Sequence, residues 1–175
     1  MEQQVSNPKW EAKVSTRLAN ASGDQIWPFL EDFFGIHKYF PSLATSYGIH
    51  GSNGEINSVR YCEGFSIPSQ ENTNKDLIIS WSKEKLIAID PIEKSLSYEM
   101  VDSNIGFNSY ISTIKIISKN PLIPGDEEYD GQRVCVIEWS FSVDPVEGWR
   151  LEDLVKKYEV GLQKMAQKME DVLSN

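Results

Sequence analysis

The 175-residue chain is poor in histidine and cysteine, with two of each. Its two histidines, His37 and His50, are far apart in sequence and remote from the cysteines, so no zinc-ligand spacing is present. Each reads as a surface or supporting residue. Cys62 and Cys135 both fall inside strand-like runs and read as buried thiols of a reducing compartment rather than a disulfide. No apolar run approaches the roughly 20 residues of a membrane span, and the polar stretch Met1 to Pro8 has no signal-peptide core. No glycine-rich loop joins a strand to a helix, which excludes a dinucleotide fingerprint and a P-loop. Gly51-Ser52-Asn53-Gly54 runs into a strand and reads as a hairpin turn. No Gly-x-Ser-x-Gly elbow occurs. Positive charge is in deficit: 17 Lys and Arg stand against 26 Asp and Glu, a net charge of −9, the wrong sign for a phosphate backbone. The expectation is a cytoplasmic or nucleocytoplasmic protein with no metal or cofactor, no nucleic-acid partner and no integral membrane contact, a monomer or weak dimer.

What is present is ordinary globular material, 40% apolar and 25% charged. Residues 1–8 read as a flexible tail and 9–175 as a single domain. A chain of this length buries close to ~70% of its unfolded surface and needs no disulfide or metal staple. The strongest pattern is at the end, over 151–173. Leu151, Leu154, Val155, Tyr158, Leu162, Met165, Met169, Val172 and Leu173 recur at three- and four-residue steps, one apolar stripe on a helix. Glu152 and Asp153 suit its first turn. Such a rod is roughly 34 Å long and needs something large to cover its stripe. Gly161 interrupts the stripe, at a cost of about 1 kcal/mol relative to Ala. It marks either close packing or missing volume that leaves a cavity.

The rest reads mostly as strands. Trp10, Ala12, Val14, Thr16 and Leu18 alternate with polar residues, a half-buried strand over 9–18. A short helix is expected over 24–33, buried through Ile26, Trp27, Leu30 and Phe34, with Pro28 tolerated in its first turn and Gly35 stopping it. A second helical turn follows over 36–40. Six more strands are expected at about 45–50, 56–65, 76–90, 95–101, 110–118 and 132–143. Loops are expected at 66–74 and 119–131. Strands segregated from helices describe an α+β domain: a seven-stranded curved antiparallel sheet wrapped around the long C-terminal helix, with two short helices after the first strand.

Two charged residues sit mid-strand, Arg60 and Glu84. Glu84 shares a face with Ile78, Ser80, Ser82, Leu86 and Ala88, and the other face carries Ile79, Trp81, Lys83, Lys85 and Ile87. Both faces mix apolar and polar residues, so period alone does not say which is inward. An exposed cross-strand ion pair would be worth about 0–1 kcal/mol. A pair inside a pocket would be a different object. Burial raises a carboxyl pKa and a nearby Arg lowers it, leaving a group able to take and give a proton. The five tryptophans read individually as core.

At these residues the chain resembles a known family. Val59-Arg60-Tyr61, Lys83-Glu84-Lys85-Leu86 through Asp90, Ser97-Tyr98, Tyr110 and Glu138-Trp139-Ser140-Phe141 are similar to the plant lachrymatory-factor synthases. These belong to the helix-grip superfamily of START-related, polyketide-cyclase-like and birch-pollen-allergen-like proteins. Val143-Asp144-Pro145-Val146-Glu147-Gly148 and Leu162-Gln163-Lys164-Met165-Ala166 also resemble the plant abscisic-acid receptors of that superfamily. The likeness runs from about Lys9 to Val172. It implies a hydrophobic pocket between sheet and long helix. It also implies catalytic roles for Arg60 and Glu84, which would rearrange a small sulfenic acid to a thial S-oxide by proton transfer, with Tyr110 lining the site. Phe65, Pro68, Phe107, Trp139, Tyr158, Gly161, Leu162 and Met165 are the expected ligand-binding residues. The loop 66–74 is longer than in the synthases, and Met100 and Gly161 replace larger aromatics, which implies a roomier pocket. Ser66-Ile67-Pro68-Ser69 and Gly106-Phe107-Asn108 stand where the hormone receptors carry their gate and latch, so a phosphatase-inhibiting receptor is not expected. The readings carried forward are an isomerase of this type and a carrier of a small hydrophobic metabolite or lipid.

Overall fold

Alternation, turn chemistry and one long amphipathic stripe account for most of the architecture. A computed structural model describes residues 8–67, 78–119 and 134–175. The expected loop 119–131 lies almost wholly outside these residues, as does most of 66–74. The elements are β1 (Trp10–Leu18), α1 (Gly23–Glu31), a 3-10 turn (Ile36–Lys38), β2 (Leu43–His50), β3 (Val59–Ile67), β4 (Ile78–Asp90), β5 (Ser95–Ser103), β6 (Ile111–Lys119), β7 (Val134–Val143) and α2 (Leu151–Ser174). The seven strands form one antiparallel sheet in the order β1-β7-β6-β5-β4-β3-β2. β1 and β2, neighbours in sequence, are its two edges, and α1 with the 3-10 turn connects them.

Local chemistry sets the ends of the elements. Ser22 and Gln25 form a capping box at α1: the Gln25 amide donates to Ser22 Oγ at 3.3 Å, and the Ser22 amide to Gln25 Oε1 at 2.9 Å. Pro28 stands in the second turn of α1, not the first as expected. The helix is short, ending at Glu31, four residues before Gly35, so Pro28 interrupts little of its hydrogen bonding. Ile26, Trp27 and Leu30 are buried as expected; Phe34 is only half-buried and Phe33 takes its place in the core. β3 begins at Val59, later than expected. Asn57 takes φ 73°, a left-handed conformation that ends an extended run, and Ile56 is exposed. β6 starts after Tyr110 for a similar reason, since Ser109 takes φ 55°.

In α2 the stripe buries Leu154, Leu162, Met165 and Met169, together with Gly161 and Ala166; Val172 is exposed. The uncharged face of this helix lies against the inner side of the sheet. Among the described residues no helix is long and apolar enough to cross a membrane.

β4 departs from simple alternation. Leu86 pairs with Tyr98 but Ala88 pairs with Ser97, so β4 carries an extra residue there. The bulge shifts the phase: Ala88, expected on the face of Glu84, is exposed, while Ile89 packs on the core opposite Leu96. Before the bulge Ser82, Glu84 and Leu86 all point inward and are buried.

A candidate ligand cavity with a buried ion pair

Between sheet and α2 lies a cavity of about 430 Å³, within the ~300–1,000 Å³ common for small-molecule sites. Leu30 and the 3-10 turn close one side, the inner faces of β3, β4 and β5 form the floor, and Leu154, Tyr158 and Met165 of α2 form the roof.

Arg60 and Glu84 are direct cross-strand partners on β3 and β4. The sheet holds both inward, at 6% and 8% exposure. Arg60 Nε and Nη2 donate to Glu84 Oε1 at 2.9 and 2.8 Å, and Nη1 donates to the Phe33 carbonyl at 2.9 Å. Its guanidinium carbon lies 3.9 Å from the Phe33 ring centroid and 4.9 Å from that of Tyr98. Burial is the largest single influence and works against the Arg60 charge, but Glu84, followed by Cys62 and Tyr98, together outweigh it and hold its pKa above the ordinary value. Glu84 Oε2 accepts from Ser82 Oγ at 3.1 Å, and Cys62 Sγ donates to Oε1 at 3.6 Å. Burial, then the Glu84 charge, push the Cys62 thiol far up, so it stays protonated. The same two causes push Tyr98 up to about 12.

A second polar group sits on Tyr110, just before β6, and on β6, β7 and α2. The hydroxyls of Tyr110 and Tyr158 are 2.5 Å apart. Trp139 Nε1 donates to Ser112 Oγ at 2.7 Å, and Ser112 Oγ donates to the Ser140 carbonyl at 2.8 Å. Burial raises both phenols well above their usual range, leaving them neutral hydrogen-bonding groups. Tyr110 stacks against Phe107 and Phe141, with centroids 5.7 and 6.1 Å apart. Trp139 meets Tyr158 at 4.4 Å and Phe40 edge-on at 5.7 Å.

Of the residues expected from sequence, Arg60, Glu84, Tyr110, Phe107, Trp139, Tyr158 and Met165 all line this one cavity. Gly161 and Leu162 do not. Leu162 is fully buried in the core beside it. A Cβ on Gly161 would stand 3.1 Å from the Phe40 ring. The missing side chain is therefore filled by Phe40, and it is Phe40 that faces the cavity. Phe65 belongs to β3, but its side chain lies outside the described residues, as does Pro68. Sequence reasoning missed Phe33, Cys62 and Lys157 as site residues. The period of two carries Cys62 from Arg60, a signal that was available. Nothing local marks the Phe33 carbonyl.

An α+β sheet gripping one long helix over an internal cavity defines a helix-grip protein. Residues 10–170 match the family model described as polyketide cyclase / dehydrase and lipid transport, and the chain belongs to that family. Solved structures share the fold at low identity. The ginseng (Panax ginseng) major latex-like protein 151 superposes with a TM-score of 0.68 at 15% identity, covering 94% of this chain and 97% of that one. The protein XoxI from Bacillus cereus gives 0.63 at 19% identity, covering 93% and 96%. An uncharacterised protein from Bacillus thuringiensis gives 0.64 at 18%, covering 91% and 98%.

Proposed function

We propose that the cavity takes up a small, mostly apolar molecule with one oxygen-bearing end, and that Arg60 and Glu84 act on that end by proton transfer. The observation that carries this reading is the buried ion pair in a wall otherwise made largely of apolar and aromatic side chains. Well-packed apolar residues stabilise such a position at least as well as a charge pair. A charge pair lining a cavity therefore points to chemistry or recognition. The family's hydrophobic-ligand character supports the uptake.

The lachrymatory-factor-synthase resemblance supplies a reaction type. An alkenyl sulfenic acid becomes a thial S-oxide when its O–H proton leaves oxygen and a proton is added to the far carbon of the double bond. No atom or electron is gained or lost. Among the described residues Glu84 Oε2 accepts only from Ser82, so it keeps acceptor capacity to take the first proton. The carboxyl so formed can return that proton to carbon. The Arg60 charge stabilises the negative charge that grows on oxygen between the two steps.

Glu84→Gln keeps the shape and removes the base. It should abolish thial S-oxide formation from an alkenyl sulfenic acid generated in the assay, while uptake of a neutral apolar fluorophore stays within a few-fold. Full turnover by the variant would make the carboxyl a binding group only. The carrier reading is favoured by one observation: Glu84 Oε1 is already engaged by two nitrogens of Arg60 and by Cys62. Uptake without turnover by the parent protein would decide for it.

A further inference from the structure

Three charged side chains line the described wall of the cavity: Arg60, Glu84 and Lys157. The first two neutralise each other. Lys157 is paired differently. Among the described residues no carboxylate lies within ion-pair distance of its Nζ. Asp153, one helical turn before it and its natural partner, is taken by Arg150 at 3.2 Å. The ammonium instead sits 5.4 Å from the Trp149 ring centroid, and Trp149 also lines the cavity.

Its position is distinctive too. Lys157 is exposed, whereas every other described residue of the wall is buried or half-buried. It therefore marks the rim, where cavity meets solvent. Leu154 and Tyr158, its neighbours on α2, continue the wall inward. Partial desolvation lowers the Lys157 pKa, as expected of a cation that no acid compensates. In a protein of net charge −9, acids to pair with a lysine are not scarce. The described wall nonetheless carries one positive charge more than it carries negative ones.

We propose that the ligand of this cavity is an amphipathic anion, whose apolar body fills the interior and whose carboxylate-type group is held at the rim by Lys157. The inference rests on the ligand-binding half of the function proposed above and names the class of molecule. It leaves the Arg60–Glu84 end free to act on a second polar function of the same ligand.

Displacement of the neutral fluorophore N-phenyl-1-naphthylamine by decanoate and by decanol, at low salt and neutral pH, tests it. The two competitors share a chain and differ in charge. The parent protein should prefer decanoate by about tenfold, the worth of one partly solvated charge-assisted hydrogen bond. Lys157→Met should erase that preference while leaving decanol affinity within about twofold, and Lys157→Arg should retain it. Equal affinities for acid and alcohol in the parent, or a preference that survives Lys157→Met, overturn the proposal while leaving ligand uptake standing. Failure of the parent to take up the fluorophore at all overturns the cavity reading and this proposal with it.

Discussion

At Glu84 the question is what a buried charge is worth. Removing one partner of a buried pair leaves the other uncompensated. Glu84→Ala should therefore cost about 3–5 kcal/mol, since Arg60 would keep only the Phe33 carbonyl and two ring faces. The double variant Arg60→Met with Glu84→Leu removes both charges, and should be far closer to the parent than the single variant. Urea unfolding of the three proteins measures this. A single variant as stable as the parent would show that water reaches the pair freely. The pair itself was visible in the sequence as two charges mid-strand; its orientation was not. The inner face of β4 reads Ser80, Ser82, Glu84, which is what an outer face usually looks like. Binary patterning fails there because the cavity replaces the apolar neighbours that would otherwise demand an apolar face.

Among elements, α2 was the most legible, because a 3.6-residue stripe over two dozen residues has few other solutions. What the stripe did not reveal is what fills the notch at Gly161. The answer comes from the segment joining the 3-10 turn to β2, brought there by the tertiary fold: the Phe40 ring occupies the space. Phe40 is wedged between that notch and Trp139 while facing the cavity. Substitutions at Gly161 should thus act on the ligand through Phe40. Gly161→Ala gains about 1 kcal/mol of helix propensity but brings a Cβ to 3.1 Å from the ring, so its net effect on stability should be small. Gly161→Trp should drive Phe40 into the cavity and weaken fluorophore uptake by tenfold or more, with far-ultraviolet circular dichroism unchanged. Undiminished uptake by Gly161→Trp would mean that Phe40 can move elsewhere. The β4 bulge at Leu86–Ala88 was likewise hidden, since inserting one residue leaves no mark in composition.

Taken whole, the molecule withdraws several weak acids from water. Cys62, Cys135, Tyr98, Tyr110 and Tyr158 all have pKa values raised by burial. Cys135 rises from 9.0 to about 11 and Tyr98 from 10.0 to about 12. In alkaline solution the folded chain keeps protons on these groups that the unfolded chain has already released. Their contribution to stability is therefore complete below pH 9 and declines as pH climbs through the 9–12 window that these two groups span. Urea midpoints should fall steadily above pH 9 while the denaturant slope stays constant; a flat profile to pH 11 would place these thiols and phenols in contact with water. The α+β class and all seven strands could be read from alternation and turn residues, because each strand carries its own signal. Strand order could not, because it is set by pairings far apart in the chain.

That order has a consequence for how the chain comes into being. β1 is made before the other described strands, yet among the described residues its sheet neighbour is β7, with Trp10 facing Val143. At about 5–20 residues per second, translation delivers β7 on the order of ten seconds after β1. Until then β1 lacks its β7 partner, and α2, which covers the inner side of the sheet, arrives later still. The hairpins from β2 to β6 can pair as they emerge, since each is adjacent to the next in both sequence and space. The cavity is thus closed only once β7 and α2, the latest of the described elements, have both emerged.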